Sequence, residues 1–155
     1  VEAGFRPDDF TLTDDAGNLV TWSGLRGAPV VVFFYPRANT PGCTTESIAF
    51  SRLEPEFRAI GVRVIGASAD SVKAQCSFKE KHALTVPLLS DPDKVVLTAW
   101  GVWGEKTLYG KTSMGIKRTT FLFDADGALV HVWNSVKVDG HAEKVLERAR
   151  ALVGG

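Results

Sequence analysis

Cys43 closes a stretch, Pro36-Arg-Ala-Asn-Thr-Pro-Gly-Cys43, that leaves the apolar run Val30–Tyr35 and packs two prolines, a hydroxyl and a glycine ahead of the thiol. If residues 30–35 form a central parallel strand, this connection departs from its carboxyl end, where ligand sites form in open α/β sheets. Cys43 then stands in the first turn of the next helix. Unpaired backbone N–H groups and the positive end of the helix dipole meet there and favour thiolate over thiol. Pro36 and Pro41 stiffen the loop, Gly42 lets the backbone pass close to a bound molecule, and Thr40 sets a hydroxyl three residues before the sulfur. The arrangement suits an activated nucleophile. The competing reading is a small buried hydrophobe in a stiff turn, a common fate for free cysteine; the neighbours of Cys43 weigh against it.

The second cysteine, Cys76, is far from Cys43 in the chain, and the two form no CxxC pair. His82, His131 and His141 match no ligand spacing, so neither a metal nor a cofactor is expected. Eighteen basic and eighteen acidic residues cancel, which gives no electrostatic reason to expect nucleic acid or an anionic membrane as partner. No apolar run approaches the ~18 residues of a membrane span, and no signal pattern is visible. A reducing, cytoplasmic setting is the expectation, although a chain that starts at Val1 leaves room for a removed targeting segment.

The elements that must position Cys43 follow from periodicity. Phe10–Thr13 and Leu19–Trp22 alternate about the turn-rich Asp14–Asn18, predicting an amino-terminal β-hairpin, with a short turn at Ser23–Gly27. Residues 30–35 read as a strand covered on both faces. A helix is expected from near Cys43 to Ile60, with Ile48, Leu53, Phe57 and Ile60 inward and Pro55 kinking or restarting it. Val62–Ala67 is a second strand, and Asp70 or Ser71 caps a helix over 72–83. Val86–Leu89 is extended, and Asp91-Pro92-Asp93 opens a helix through Trp100. Residues 104–117 read as a long loop or irregular hairpin, 119–123 and 128–133 as paired strands, and Val138–Leu152 as an amphipathic helix. A parallel βαβ half, an antiparallel hairpin and a closing helix make a thioredoxin-like α/β sandwich: a central mixed sheet with helices on both faces, in one domain over residues 1–155.

At this point the sequence resembles a known family. Pro36, Thr40 and Cys43 match the Pro-x-x-x-Thr-x-x-Cys signature of peroxiredoxins, thiol peroxidases on a thioredoxin-like fold. Asp9–Leu12, Phe33–Pro36, Thr40–Thr44, Pro87–Asp91 and Gly110–Leu122 look like the peroxiredoxin Q subgroup, also called bacterioferritin comigratory protein. The resemblance implies that Cys43 is the peroxidatic nucleophile toward hydrogen peroxide or organic hydroperoxides, leaving a sulfenic acid. It implies that Arg118 places a permanent cation and a fork of donors beside the sulfur. Thr40 would hydrogen-bond the peroxide, Pro36 would shield the sulfur, and Glu46 would orient Arg118.

One departure stands out. The usual resolving cysteine of the subgroup lies five residues after the peroxidatic one, and here that position is Ile48. Some members carry their second cysteine on the helix that corresponds to 72–83, which leaves Cys76. The resemblance then implies an atypical two-cysteine cycle: a Cys43–Cys76 disulfide, formed after both helix starts unwind, and reduction by thioredoxin or a similar dithiol. An inert Cys76, with an external thiol as reductant, is the alternative. A monomer is expected, with a dimer as the other possibility. Apolar side chains in 100–116 are candidates to admit an alkyl hydroperoxide. A CxxC oxidoreductase is disfavoured by Thr40. A redox-sensing or chaperone module would leave Thr40, Cys43 and Arg118 without a purpose, and Trp22, Trp100, Trp103 and Trp133 read as core or pocket wall before they read as an interaction surface.

Overall fold

A strand buries five consecutive apolar residues only where both faces of its sheet are covered, and Val30–Phe34 is such a strand. The computed structural model describes residues 2–25, 27–38, 40–108, 110–134 and 136–154. In chain order the elements are β1 (Thr11–Asp14), β2 (Leu19–Thr21), α1 (Trp22–Leu25), β3 (Val30–Phe34), α2 (Pro41–Ala59), β4 (Arg63–Ser68) and α3 (Val72–His82). They continue with β5 (Leu88–Ser90), α4 (Val95–Ala99), β6 (Trp103–Leu108), β7 (Lys111–Ile116), β8 (Thr119–Phe123), β9 (Leu129–Trp133) and α5 (His141–Gly154). The main sheet runs β2-β1-β5-β4-β3-β8-β9, and β6 and β7 form a separate two-stranded ribbon. β3, β4 and β5 are parallel, while β1 joins β5 and β8 joins β3 antiparallel. This is the mixed sheet expected of a thioredoxin-like sandwich, amino-terminal hairpin included.

Strand parity divides the interior in two. Val31, Phe33 and Tyr35 pack with Cys43, Phe50, Phe57, Phe78 and the inner face of α5. Val30, Val32 and Phe34 pack on the opposite side with Trp22, Trp100, Phe121 and Phe123. Successive side chains on a strand point to opposite faces, so one apolar run supplies both cores.

Several elements differ from the sequence expectation. The turn expected at 23–27 begins as one helical turn, because Asp9 accepts from both the N–H and the hydroxyl of Ser23. Ile48 faces outward, 43% exposed, while Cys43, Glu46, Ser47, Phe50, Leu53 and Phe57 form the inward face of α2; Ile48 sits one residue off that 3-and-4 spacing. Pro55 lies inside α2 without dividing it. Proline cannot donate to the carbonyl four residues back, but that carbonyl, on Ser51, accepts the Thr85 hydroxyl at 3.3 Å, and Ser51 Oγ takes Thr85 N–H at 3.1 Å. The helix expected from Asp91 starts at Val95, because residues 91–94 turn through a left-handed Lys94; the Asp91 carboxylate nevertheless receives Val95 and Leu97 N–H. Trp103–Leu108 and Lys111–Ile116 pair as a regular antiparallel ribbon, and α5 starts at His141, three residues after the expected Val138. Ser71, not Asp70, caps α3, accepting from Ala74 N–H at 3.1 Å. Among the described residues no helix is long and apolar enough to cross a membrane.

Candidate active site

The connection from β3 to α2 is pinned at its stem by Tyr35 N–H donating to Ala67 O. It turns through the half-buried Pro36 and reaches α2 with Pro41 at the helix start, where a missing N–H costs nothing. Thr40 flanks the helix in extended geometry. Its carbonyl accepts Thr44 N–H at 2.9 Å, and its hydroxyl donates to Arg37 O at 2.7 Å. That hydroxyl still has lone pairs with which to accept. Cys43 follows in the first turn, fully buried on the inward face.

β8 brings the cation. Thr120 and Leu122 point to the same side of the sheet as Cys43, and Arg118 continues their parity from just before the strand. Its Nη2 donates to Cys43 Sγ at 3.1 Å and its Nη1 to Glu46 Oε1 at 2.7 Å. Val136 N–H holds the Arg118 carbonyl at 3.2 Å. One guanidinium therefore spans a thiol and a carboxyl that sit one helical turn apart. A Cβ at Gly42 would stand 3.1 Å from Nη2, so glycine leaves the guanidinium its room. Burial works against the charge of Arg118, but Glu46 and Cys43 together hold it above its ordinary range. Glu46 is 1% exposed, and burial outweighs the neighbouring guanidinium, pushing its carboxyl up to about 7. Its second oxygen, Oε2, is buried without a hydrogen-bond partner among the described residues.

Cys76 lies elsewhere. It occupies the second turn of α3, half-buried, with Sγ 3.8 Å from Glu80 Oε1. Burial first, then Glu80, pushes this thiol up. Both cysteines are free. Trp100, Val102 and Ile116 belong to the core on the other face of the sheet from Cys43, away from the sulfur that the 100–116 region was expected to serve. Among the described residues no group of three or more His, Cys, Asp or Glu is placed to hold a metal ion. His141 is buried against Phe50 and Trp133 with Nε2 2.8 Å from Thr120 Oγ1, and burial lowers it to about 4.

The family model for AhpC/TSA matches residues 4–132. The chain belongs to the AhpC/TSA family. Peroxiredoxin Bcp of Xanthomonas campestris pv. campestris is 42% identical over 143 residues, covering 92% of this chain and 89% of that protein. A solved structure of the Xanthomonas campestris bacterioferritin comigratory protein, described for its alkyl peroxide reduction activity, superposes with a TM-score of 0.89 at 40% identity, over 93% of this chain and 92% of that one. A cysteine-to-serine mutant of Xylella fastidiosa PrxQ gives a TM-score of 0.93 at 38% identity, over 97% and 96%. This chain is a peroxiredoxin of the Bcp/Q type, a thiol-dependent peroxidase that takes a peroxide and a thiol reductant.

Sequence reasoning names Cys43, Arg118 and Glu46, and the fold brings them together. It misses a polar network beside the loop. Asp70 Oδ2 accepts Ala38 N–H at 2.8 Å and the Ser68 hydroxyl at 2.6 Å. Gln75 Nε2 donates to Ser68 Oγ at 3.0 Å and Leu89 O at 2.8 Å, and its Oε1 receives the Tyr35 hydroxyl. The available signal is Ser68-Ala-Asp70 at the end of a strand, and from sequence its acid reads only as a helix cap.

Proposed function

We propose that Cys43 is the peroxidatic cysteine and that Arg118 is its activating cation. The 3.1 Å contact from Arg118 Nη2 to Cys43 Sγ carries this reading. The thiolate attacks one oxygen of ROOH, the O–O bond breaks, and the other oxygen leaves with its electron pair to be protonated to ROH; the sulfur becomes a sulfenic acid. A fixed guanidinium aimed at the sulfur favours the anion before attack and stabilises the charge that builds on the departing oxygen. Glu46 keeps the fork in place, Thr40 accepts from the peroxide, and Pro36 covers the loop side of the sulfur. Hydrogen peroxide and small organic hydroperoxides are the substrates.

The cycle closes through Cys76. Its thiol attacks the sulfur of the Cys43 sulfenic acid, the S–O bond breaks, and the departing hydroxide takes the thiol proton to leave as water; a dithiol such as thioredoxin then returns both sulfurs to thiols. The enzyme works as a monomer, in one domain, in a reducing compartment such as the cytoplasm. A one-cysteine cycle with an external thiol is the second reading, favoured by the raised Cys76 thiol beside Glu80. Peroxide consumption coupled to thioredoxin, with Cys43→Ser and Cys76→Ser and intact masses before and after one equivalent of peroxide, tests both. Cys43→Ser must abolish turnover. Undiminished turnover in Cys76→Ser, with no internal disulfide in the oxidised wild type, selects the external thiol.

A further inference from the structure

We propose that Asp70 is a positioning residue for Cys43, and that through Ser68 and Gln75 it ties release of the 36–42 loop to opening of α3. The second half rests on the Cys43–Cys76 cycle. A loop with Pro36 and Pro41 has few backbone donors, and the one at its middle, Ala38 N–H, reaches across the fold to Asp70 Oδ2 at 2.8 Å. Asp70 is held in turn: its own N–H donates to Ser68 Oγ at 3.2 Å, and that hydroxyl donates back to Oδ2 at 2.6 Å. A carboxylate fixed at both ends of its residue aims the loop rather than following it. Cys43 lies five residues beyond Ala38, so the register of this bond sets where α2 begins and hence where the sulfur meets Arg118.

The same network reaches the other thiol. Tyr35, at the loop's stem, donates to Gln75 Oε1, and Gln75 Nε2 donates to Ser68 Oγ and Leu89 O. Tyr35, Ser68 and Gln75 are all fully buried, and Gln75 immediately precedes Cys76. Cys76 cannot travel toward Cys43 without drawing Gln75 out of its site. That motion strips partners from Tyr35, Ser68 and the Leu89 carbonyl at once. Leaving buried polar groups unpaired is costly, and networked groups fail together, so a state with α3 open and the loop still pinned is disfavoured. The loop and the first turns of α3 open as one unit.

Single-turnover kinetics on the full chain test this, reading sulfenate formation and disulfide closure separately. Asp70→Ala slows oxidation of Cys43 by hydrogen peroxide about tenfold, the scale of one lost buried hydrogen bond, and speeds closure of the disulfide several-fold. Asp70→Asn, which keeps an oxygen opposite Ala38 N–H, recovers most of the oxidation rate. Tyr35→Phe keeps the ring in the core and also speeds closure, providing a second route if the alanine variant folds poorly. Rates that fall together, or that do not move, overturn the proposal, since a merely structural residue changes the folded fraction and not the two steps in opposite directions. If the wild type closes no Cys43–Cys76 disulfide, the two-cysteine cycle and the coupling fall together, while the oxidation rate still decides whether Asp70 positions Cys43.

Discussion

Cys43 and Cys76 are the same functional group in opposite surroundings. Cys43 has the start of a 19-residue helix behind it and a guanidinium nitrogen 3.1 Å from its sulfur. Cys76 sits within its helix with a carboxylate oxygen 3.8 Å away, which opposes ionisation. Each thiol has a glutamate on the next turn of its own helix, yet the two acids act differently. Glu46 faces the sulfur's cation, whereas Glu80 faces the sulfur itself. Placement of the cation, more than the presence of an acid, separates the two thiols, and on the proposed cycle it separates the nucleophile from the resolving sulfur.

The largest test of that contrast is Cys43→Ser, which removes peroxide consumption down to the uncatalysed background in a coupled assay. Cys76→Ser, by contrast, leaves the first oxidation of Cys43 within about twofold in single-turnover kinetics, because its sulfur takes no part in that step. Next, Arg118→Met lowers the rate of Cys43 oxidation by roughly 10²-fold, the usual cost of one preorganised donor, and leaves alkylation of Cys76 unchanged. Equal losses at both sulfurs would break the comparison. Multiple-turnover assays with thioredoxin sharpen it further: Cys76→Ser slows recycling about tenfold or more if closure precedes reduction.

Proton linkage separates two buried groups on the Cys43 side of the sheet. Glu46, raised from 4.5 to about 7, binds its proton more tightly in the folded state, so its contribution to stability falls as pH rises from about 4.5 to 7. His141, lowered from 6.5 to about 4, resists protonation when folded, so its contribution is complete above about 6.5 and is lost as pH falls to 4. At about 1.4 kcal/mol per pKa unit each swing is roughly 3 kcal/mol, and the two nearly cancel between pH 4.5 and 6.5. Urea unfolding across this range shows the pair separately. Glu46→Gln gains stability relative to wild type with rising pH, and His141→Asn loses it. The smallest effect is expected from Gly42→Ala, which crowds Arg118 Nη2 at 3.1 Å and slows Cys43 oxidation by a few-fold without touching recycling through Cys76.

The buried strands were legible because burial on two faces leaves an unbroken apolar run, and Val30–Phe34 is one. The β6–β7 ribbon was harder, since β7 is exposed along most of its length and shows no inward parity. Pro55 misled because its remedy, Thr85, is remote in sequence. Cys43, Arg118 and Glu46 were legible through the family signature, and strand parity supplies the physical reason that Arg118 faces the sulfur. Asp70 was not legible. A carboxylate that receives a backbone N–H 32 residues away leaves no periodicity to read.

The sulfur of Cys43 belongs to a residue with 0% of its surface exposed. What arrives there is sorted by dimensions before it is sorted by reactivity. A sulfur this enclosed favours reactants of two or three heavy atoms over a bulky alkylating reagent, which is expected to label Cys43 more slowly than the half-buried Cys76. On the proposed cycle such enclosure shields the resting sulfur from large electrophiles, and a folded reductant would reach it only once a disulfide had formed.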